Sequence, residues 1–438
     1  MTAARKARTT NRRNVSWLDS IPSHWEVSPS KRLFGEQKQR ALLDDEQLTA
    51  SQAYGVVPQR EYMERSGQSV VQITTNLELR KHVERDDFVI SMRSFQGGLE
   101  RAWATGCIRS SYVVLRPSRR VEVGYYTHLF KSHAYIQALQ ATSHFIRDGQ
   151  DLNFGNFSLV DLPLPPEAEQ REIATFLDRK TAAIDDMIAK KERLIQLLME
   201  KRQALITQAV TKGLDLNVPR KDSGVVWLGG LPAHWAVAPL KQRTVLVARG
   251  RSPDYSEQDD GIPIINQACV YWTAIRYENV KWQRRDTMTG ERGRLRKGDL
   301  LMNSTGTGTL GRVAVFEQDG EYLADSHVTV IRTAESAAPA FLRYVLQTDT
   351  YQGYVYSVLA PGATNQIELS REGLRRTPFP FPPLKEQHAI AGFLDRKTRT
   401  IDALNKHLAL HIERLREYRQ RLVTDAVTGK IDVSKEVA

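Results

Sequence analysis

Cysteine is scarce in this sequence: 438 residues contain two, Cys107 and Cys269, far apart and without CxxC spacing. That scarcity excludes a disulfide framework and a cysteine-ligated zinc site, and it fits a reducing cytosol. Both thiols are expected as small core residues. Long apolar runs are lacking too. No stretch approaches the ~20 apolar residues that cross a bilayer. The opening MTAARKARTTNRRN is basic but has no apolar segment of the kind a secretory signal needs. It is expected to be a disordered tail, and the chain is expected in the cytoplasm. Acidic residues are the minority, 51 against 62 Lys and Arg, which leaves a formal charge of +11 and an isoelectric point near 9.5. Such an excess favours a polyanionic partner, nucleic acid first. A chain of this length exceeds what one core serves, so two or more domains are expected.

Recognisable catalysis is the next absence. STGTGTLGR (304–312) has the glycines of a phosphate loop without its Lys-Ser/Thr ending, and no GxGxxG opens a helix. A turn between the strands LLMN and VAVF is the expectation. Asp178-Arg179-Lys180 and Asp395-Arg396-Lys397 resemble half of a metal-dependent nuclease site, but such sites sit on adjacent strands and these tripeptides lie in a helical pattern. His24 and His234 recur in P-x-H-W with no nearby carboxylate or cysteine, so they make no metal set and are expected to help Trp25 and Trp235 anchor the segment. No Asn-Pro-Pro-Tyr-type motif for amino-methyl transfer occurs. The chain is expected to hold no catalytic residue, no metal and no cofactor.

What is present is a duplication. FLDRKT occurs at 176–181 and again at 393–398, and around it 167–215 and 384–432 match without gaps at 23 of 49 positions. A second element repeats as WLDSIPSHWEVSPSK (17–31) and WLGGLPAHWAVAPLK (227–241). Between these landmarks lie variable regions, about 32–160 and 242–377, with little sequence in common. They read as mixed α/β: strand-like runs DDFVISM, SYVVLRP, GDLLMNS, GRVAVF and HVTVIRT, with a helical stretch near 124–141 and 338–352.

The repeated 49-residue stretch reads as a long helix. Pro165-Pro166 and Pro382-Pro383 end an extended lead-in, and Gly213 is placed as a C-cap. Leu394, Ile401, Leu408, Leu415 and Leu422 recur every seven residues, as do Leu177, Ile184, Lys191, Leu198 and Leu205. A strict seven-residue period marks a coiled-coil seam. Neither helix can bury its stripe alone, so the two copies are expected to pair. Lys191 departs from that pattern, standing where the second copy has Leu408; a lone polar seam residue sets register at a cost in stability.

W-L-x-x-x-P-x-H-W, a variable domain, and then PLPPEAEQREIATFLDRKTAAID, with a second round ending in FPFPPLKEQHAIAGFLDRKTRTID, resembles the specificity subunit of Type I restriction–modification enzymes over nearly the whole chain. The resemblance implies an α/β (α+β) protein with two target recognition domains, each reading half of a split, asymmetric DNA site. It implies two long helices pairing antiparallel as a spacer, related by a pseudo-twofold. The implied partners are double-stranded DNA, two methyltransferase subunits and, in the full complex, restriction–translocase subunits. The assembled complex would methylate adenine and cut unmodified DNA with S-adenosylmethionine, ATP and Mg2+ handled by those partners. The expected boundaries are a tail 1–14, recognition domain 15–163, helical region 164–215, linker 216–226, recognition domain 227–380, helical region 381–433 and tail 434–438.

DNA contacts are expected on polar, glycine-flanked turns that leave apolar strands: Arg93, Ser94, Gln96, Arg101, Arg147 and Gln150 in the first domain, and Asn303, Ser304, Thr305, Arg312, Asn365 and Gln366 in the second. Methyltransferase docking is expected at the helix starts, where Glu169, Gln170, Phe176, Asp178, Arg179 and Lys180 match Glu386, Gln387, Phe393, Asp395, Arg396 and Lys397. A coiled-coil scaffold with two protein-binding lobes is the competing reading, and the basic balance and interleaved aromatics weigh against it. A self-sufficient modification enzyme would need the methyl-donor loop and amino-methyl motif that are missing.

Overall fold

The computed structural model describes residues 16–71, 75, 77–91, 94–142, 152–256, 261–285, 291–360 and 367–436. The expected N-terminal tail lies outside them. The chain divides into two compact units, one of Met1–Lys191 with Leu410–Ala438, the other of Glu192–Ala409. These units cut the long helices part-way, whereas the sequence suggested domains that stop where the helices begin. The reason is packing: each unit joins one lobe to the start of one helix and the end of the other.

The first unit holds an antiparallel sheet in the order Phe34–Gln37, Val113–Pro117, Phe88–Ile90, Glu100–Arg101. The second holds one in the order Thr244–Arg249, Val328–Thr333, Leu300–Asn303, Val313–Val315. Both central strands are buried on each face, which is why VVL, FVI, LLM and VTVI read as apolar runs instead of alternating. The two variable regions therefore share a strand order although they have little sequence in common.

Outside that sheet the lobes part company. The first carries the hairpin Leu48–Ser51 with Gly55–Pro58 and the pair Lys81–Val83 with Gly106–Ile108. The second builds another four-stranded sheet from Tyr255–Ser256, Lys281–Gln283, Ile262–Ile265 and Leu323–Ala324. Each expected helical stretch is two short helices. Val123–Lys131 gives way to His133–Gln140 at Ser132, whose hydroxyl caps Tyr135 N–H. Pro339–Leu346 gives way to Asp349–Tyr354, with Thr348 capping Tyr351 N–H. Ser and Thr at an N-cap satisfy a donor that has no partner within the helix.

The repeated stretches form the helices Glu167–Lys212 and Leu384–Val427. Gly213 (φ 75°) and Gly429 (φ 69°) end them in the left-handed region that glycine adopts without strain. Part of the presumed linker is ordered: Arg220–Asp222 pairs with Gly230–Pro232. Both cysteines are free and buried, as expected, and burial raises both thiols, that of Cys269 to about 11.

Within each unit the two helix segments run antiparallel. In the first, Arg419 forks onto Asp185 at 2.8 and 3.0 Å; in the second, Arg202 meets Asp402 at 3.1 Å. The residue numbers of both pairs sum to 604, so one register serves both units. On the seam Leu177, Ile184, Leu394, Ile401, Leu408 and Leu422 are buried, while Lys191 is half-buried.

Candidate nucleic-acid interface and lobe–helix junctions

In each unit the repeated W-L-x-x-x-P-x-H-W segment ties the lobe to its helices. The first tryptophan stacks edge-on against the helix after the break, Trp17 on Tyr135 (6.2 Å) and Trp227 on Tyr351 (5.2 Å). The second donates its indole N–H to a glutamate of the arriving helix, Trp25 to Glu169 (2.9 Å) and Trp235 to Glu386 (3.1 Å). The neighbouring histidine shares that carboxylate, His24 with Glu169 and His234 with Glu386. The sequence suggested no carboxylate beside these histidines; the fold brings one from about 150 residues along the chain. Among the described residues no group of three His, Cys, Asp or Glu side chains could hold a metal ion.

Gln170 and Gln387 are buried and fully engaged. Gln170 accepts from Glu122 N–H and donates to the carbonyls of Arg120 and Pro165; Gln387 accepts from Ala338 N–H and donates to those of Ser336 and Pro382. The sequence made both into docking residues, and the structure corrects this: their polar atoms are spent inside the junction. Glu169 and Glu386 are likewise engaged within it. Phe176 is buried and Phe393 nearly so. Asp178 pairs with His128 (2.8 Å), and Asp395 with Arg343 and Tyr344 (2.7 Å each). Arg179, Lys180, Arg396 and Lys397 remain on the accessible face, each lysine over its phenylalanine at 5.5 and 5.9 Å.

Of the expected DNA contacts, Arg93, Arg147, Gln150, Asn365 and Gln366 lie outside the described residues. Gln96 is exposed in the short helix Ser94–Gly97. Ser94, Asn303 and Ser304 are corrected. Each follows a core strand and turns inward, Ser94 accepting from Ser91 N–H, Asn303 donating to Gln267 C=O, and the Ser304 hydroxyl hydrogen-bonding that of Thr329. All three are fully buried, so none presents an edge to a base. The glycine-rich stretch is a turn, as expected: Val313–Val315 pairs back onto Leu300–Met302, and Gly306, Gly308 and Gly311 all have positive φ.

Two clusters remain accessible. In the first lobe Arg101 forks onto Asp86 and lies 4.2 Å over the exposed Trp103 ring. In the second, Arg276 and Arg312 both lie over the Tyr271 ring, at 3.6 and 5.0 Å, near the exposed Trp272. Thr305 is held by His327 and Gln267 beside them. Guanidinium groups steadied on aromatic rings keep free N–H donors for phosphate or base edges. The sequence reading missed Trp103, Tyr271, Trp272 and Arg276; the interleaved CVYWTAIRY was the available signal.

A family model for the Type I restriction modification DNA specificity domain matches residues 235–414. Beyond that match, the chain as a whole is similar to specificity subunits of Type I restriction enzymes. It is 23% identical over 328 residues to the specificity subunit of Type I restriction enzyme EcoKI of Escherichia coli K12, covering 73% of this chain and 68% of that one. The archaeal relative MjaVIII of Methanocaldococcus jannaschii is 24% identical over 283 residues, covering 63% of each. A solved chain from work on complex assembly and conformational transition of the type I R-M system superposes with a TM-score of 0.71 at 16% identity, covering 94% of this chain and 100% of that one. The HsdS subunit of Thermoanaerobacter tengcongensis gives 0.54 at 15%, with 94% and 98% covered. No described helix is long and apolar enough to cross a membrane.

Proposed function

We propose that this chain is the specificity subunit and DNA-reading component of a cytoplasmic Type I complex, in which each lobe reads one half of a bipartite asymmetric site. The paired helices set the distance between half-sites and dock two methyltransferase subunits. Catalysis, with S-adenosylmethionine, ATP and Mg2+, belongs to the methyltransferase and restriction–translocase partners. The observation that carries this reading is a junction built twice from matching residues around lobes whose loops differ. Lobes that read different half-sites must diverge, and arms that hold equal partners must match. Arg179, Arg396 and Lys397 are the exposed cations at the matched helix starts that are placed to meet those partners. Arg101 and the Arg276–Tyr271–Arg312 cluster are the leading candidates for DNA contact.

The test is methylome mapping of cells carrying the chain with its methyltransferase. Four residues inserted after Gln203 lengthen the first helix by about 6 Å. The half-sites are then expected to keep their sequences while the gap between them grows. An unchanged gap would refute the spacer role, and failure to gel-shift DNA with its partners would return the scaffold reading. Arg312→Ala is expected to cost about 1–3 kcal/mol at one base pair if it reads a base, or to weaken all sequences equally if it meets phosphate.

A further inference from the structure

Beside the junction of the second unit lies an open pocket of about 440 Å3, lined by Arg202, Arg343, Tyr344, Thr398, Arg399 and Lys406 with Asp395 and Asp402. Both carboxylates are already taken by guanidinium groups that reach across to them, Asp395 by Arg343 and Asp402 by Arg202. Arg399 and Lys406 stand one helical turn after those aspartates and are exposed, and neither has a counter-ion among the described residues. Arg343 keeps its Nε enclosed without an acceptor. Four cations therefore face two carboxylates.

The duplicate junction acts as a control. Positions 217 residues earlier carry Asp178, Thr181, Ala182, Asp185, Asp186 and Ala189, with Arg419 standing for Arg202. The framework is the same there: Arg419 on Asp185, His128 on Asp178, and Gln420 donating to Lys131 C=O as Gln203 does to Gln347 C=O. Yet Arg399 and Lys406 have become alanines and Ala403 an aspartate, which is paired with Lys190. Two cations, Arg419 and Lys190, then face three carboxylates. Because the junction packs equally well without Arg399 and Lys406, the fold does not require them. Unpaired cations held this close raise each other's energy unless an anion joins them.

We infer that the second-unit pocket is an anion site for a phosphate group, held by Arg399 and Lys406 with the Arg343 guanidinium behind, and that the first unit has no counterpart. An excess of two positive charges matches the charge of a phosphate monoester near neutral pH. The group would come from the DNA backbone or from a free phosphate compound.

The experiment uses the full chain and inorganic phosphate, titrated calorimetrically at constant ionic strength set with chloride. Saturable binding is expected, weakened about tenfold or more in Arg399→Ala/Lys406→Ala through loss of charge-assisted bonds. The graft Ala182→Arg/Asp186→Ala/Ala189→Lys should add a second site. A duplex-DNA arm separates the sources. If the phosphate is DNA's, the double variant loses affinity equally for all sequences and its salt dependence becomes shallower; if it is free phosphate, DNA binding is unchanged while phosphate binding falls. Parent and variant binding phosphate equally would overturn the site. So would a variant whose only defect is weaker methyltransferase binding, which would make the pocket a seat for acidic protein side chains.

Discussion

The two lobe–helix junctions agree in what holds them and differ in what they present. Trp25, Glu169 and Gln170 repeat as Trp235, Glu386 and Gln387, down to the hydrogen bonds they make, while Asp178 and Asp395 both bind a side chain of the lobe, His128 in one and Arg343 and Tyr344 in the other. Outside that frame, charge diverges at Ala182 and Arg399, and seam polarity at Lys191 and Leu408. After duplication, buried hydrogen-bonded positions are held by the cost of an unmet partner, whereas accessible ones drift or specialise freely.

The largest expected effect tests the shared frame. Trp25→Ala and Trp235→Ala each remove a buried ring whose N–H is satisfied, and each is expected to destabilise by about 3–5 kcal/mol in denaturant unfolding. A loss at one tryptophan only would show that the junctions are unequal supports. Next comes the seam. Leu408→Lys should cost about 2–3 kcal/mol, and the reciprocal Lys191→Leu should gain about 1 kcal/mol, because apolar burial replaces a half-buried ammonium stem. Equal responses to the two changes would mean that the seam does not distinguish those positions.

Gln170→Ala and Gln387→Ala each strand a backbone N–H that the side chain now serves. Both are expected to cost about 1–3 kcal/mol, matched within error by chemical denaturation. The smallest effect is expected at Arg202→Ala and Arg419→Ala, whose partly exposed pairs with Asp402 and Asp185 should contribute about 0.2–1 kcal/mol, falling with added salt. A double-mutant cycle giving several kcal/mol at either pair would mean that it bears the junction.

Much of this was legible without coordinates. The strand runs FVI, VVL, LLM and VTVI sit where their apolar content put them, because a strand buried on both faces can hide neither a charge nor a turn residue. The helix bounds followed from proline pairs and Gly213. Ser94, Asn303 and Ser304 misled for a physical reason: a polar residue at a strand end can face solvent or turn in to satisfy a buried backbone group, and composition does not distinguish the two. The docking assignment of Gln170 and Gln387 erred in the same way, since repetition marks a constraint without saying whether a partner or the chain itself imposes it.

The sequence by itself determined the duplication, the long helices with their seven-residue seam, and the resemblance to Type I specificity subunits, because these rest on periodicity and local signals within a few dozen residues. Only the tertiary structure decided which glutamate meets each histidine–tryptophan pair, that both lobes share a strand order, and that one register serves both helix pairings. It alone showed that two matched junctions carry opposite charge around the same frame. Those features join residues about 145–235 positions apart, and at such separations a pairing is selected by packing and by satisfied hydrogen bonds, neither of which leaves a local pattern in the chain.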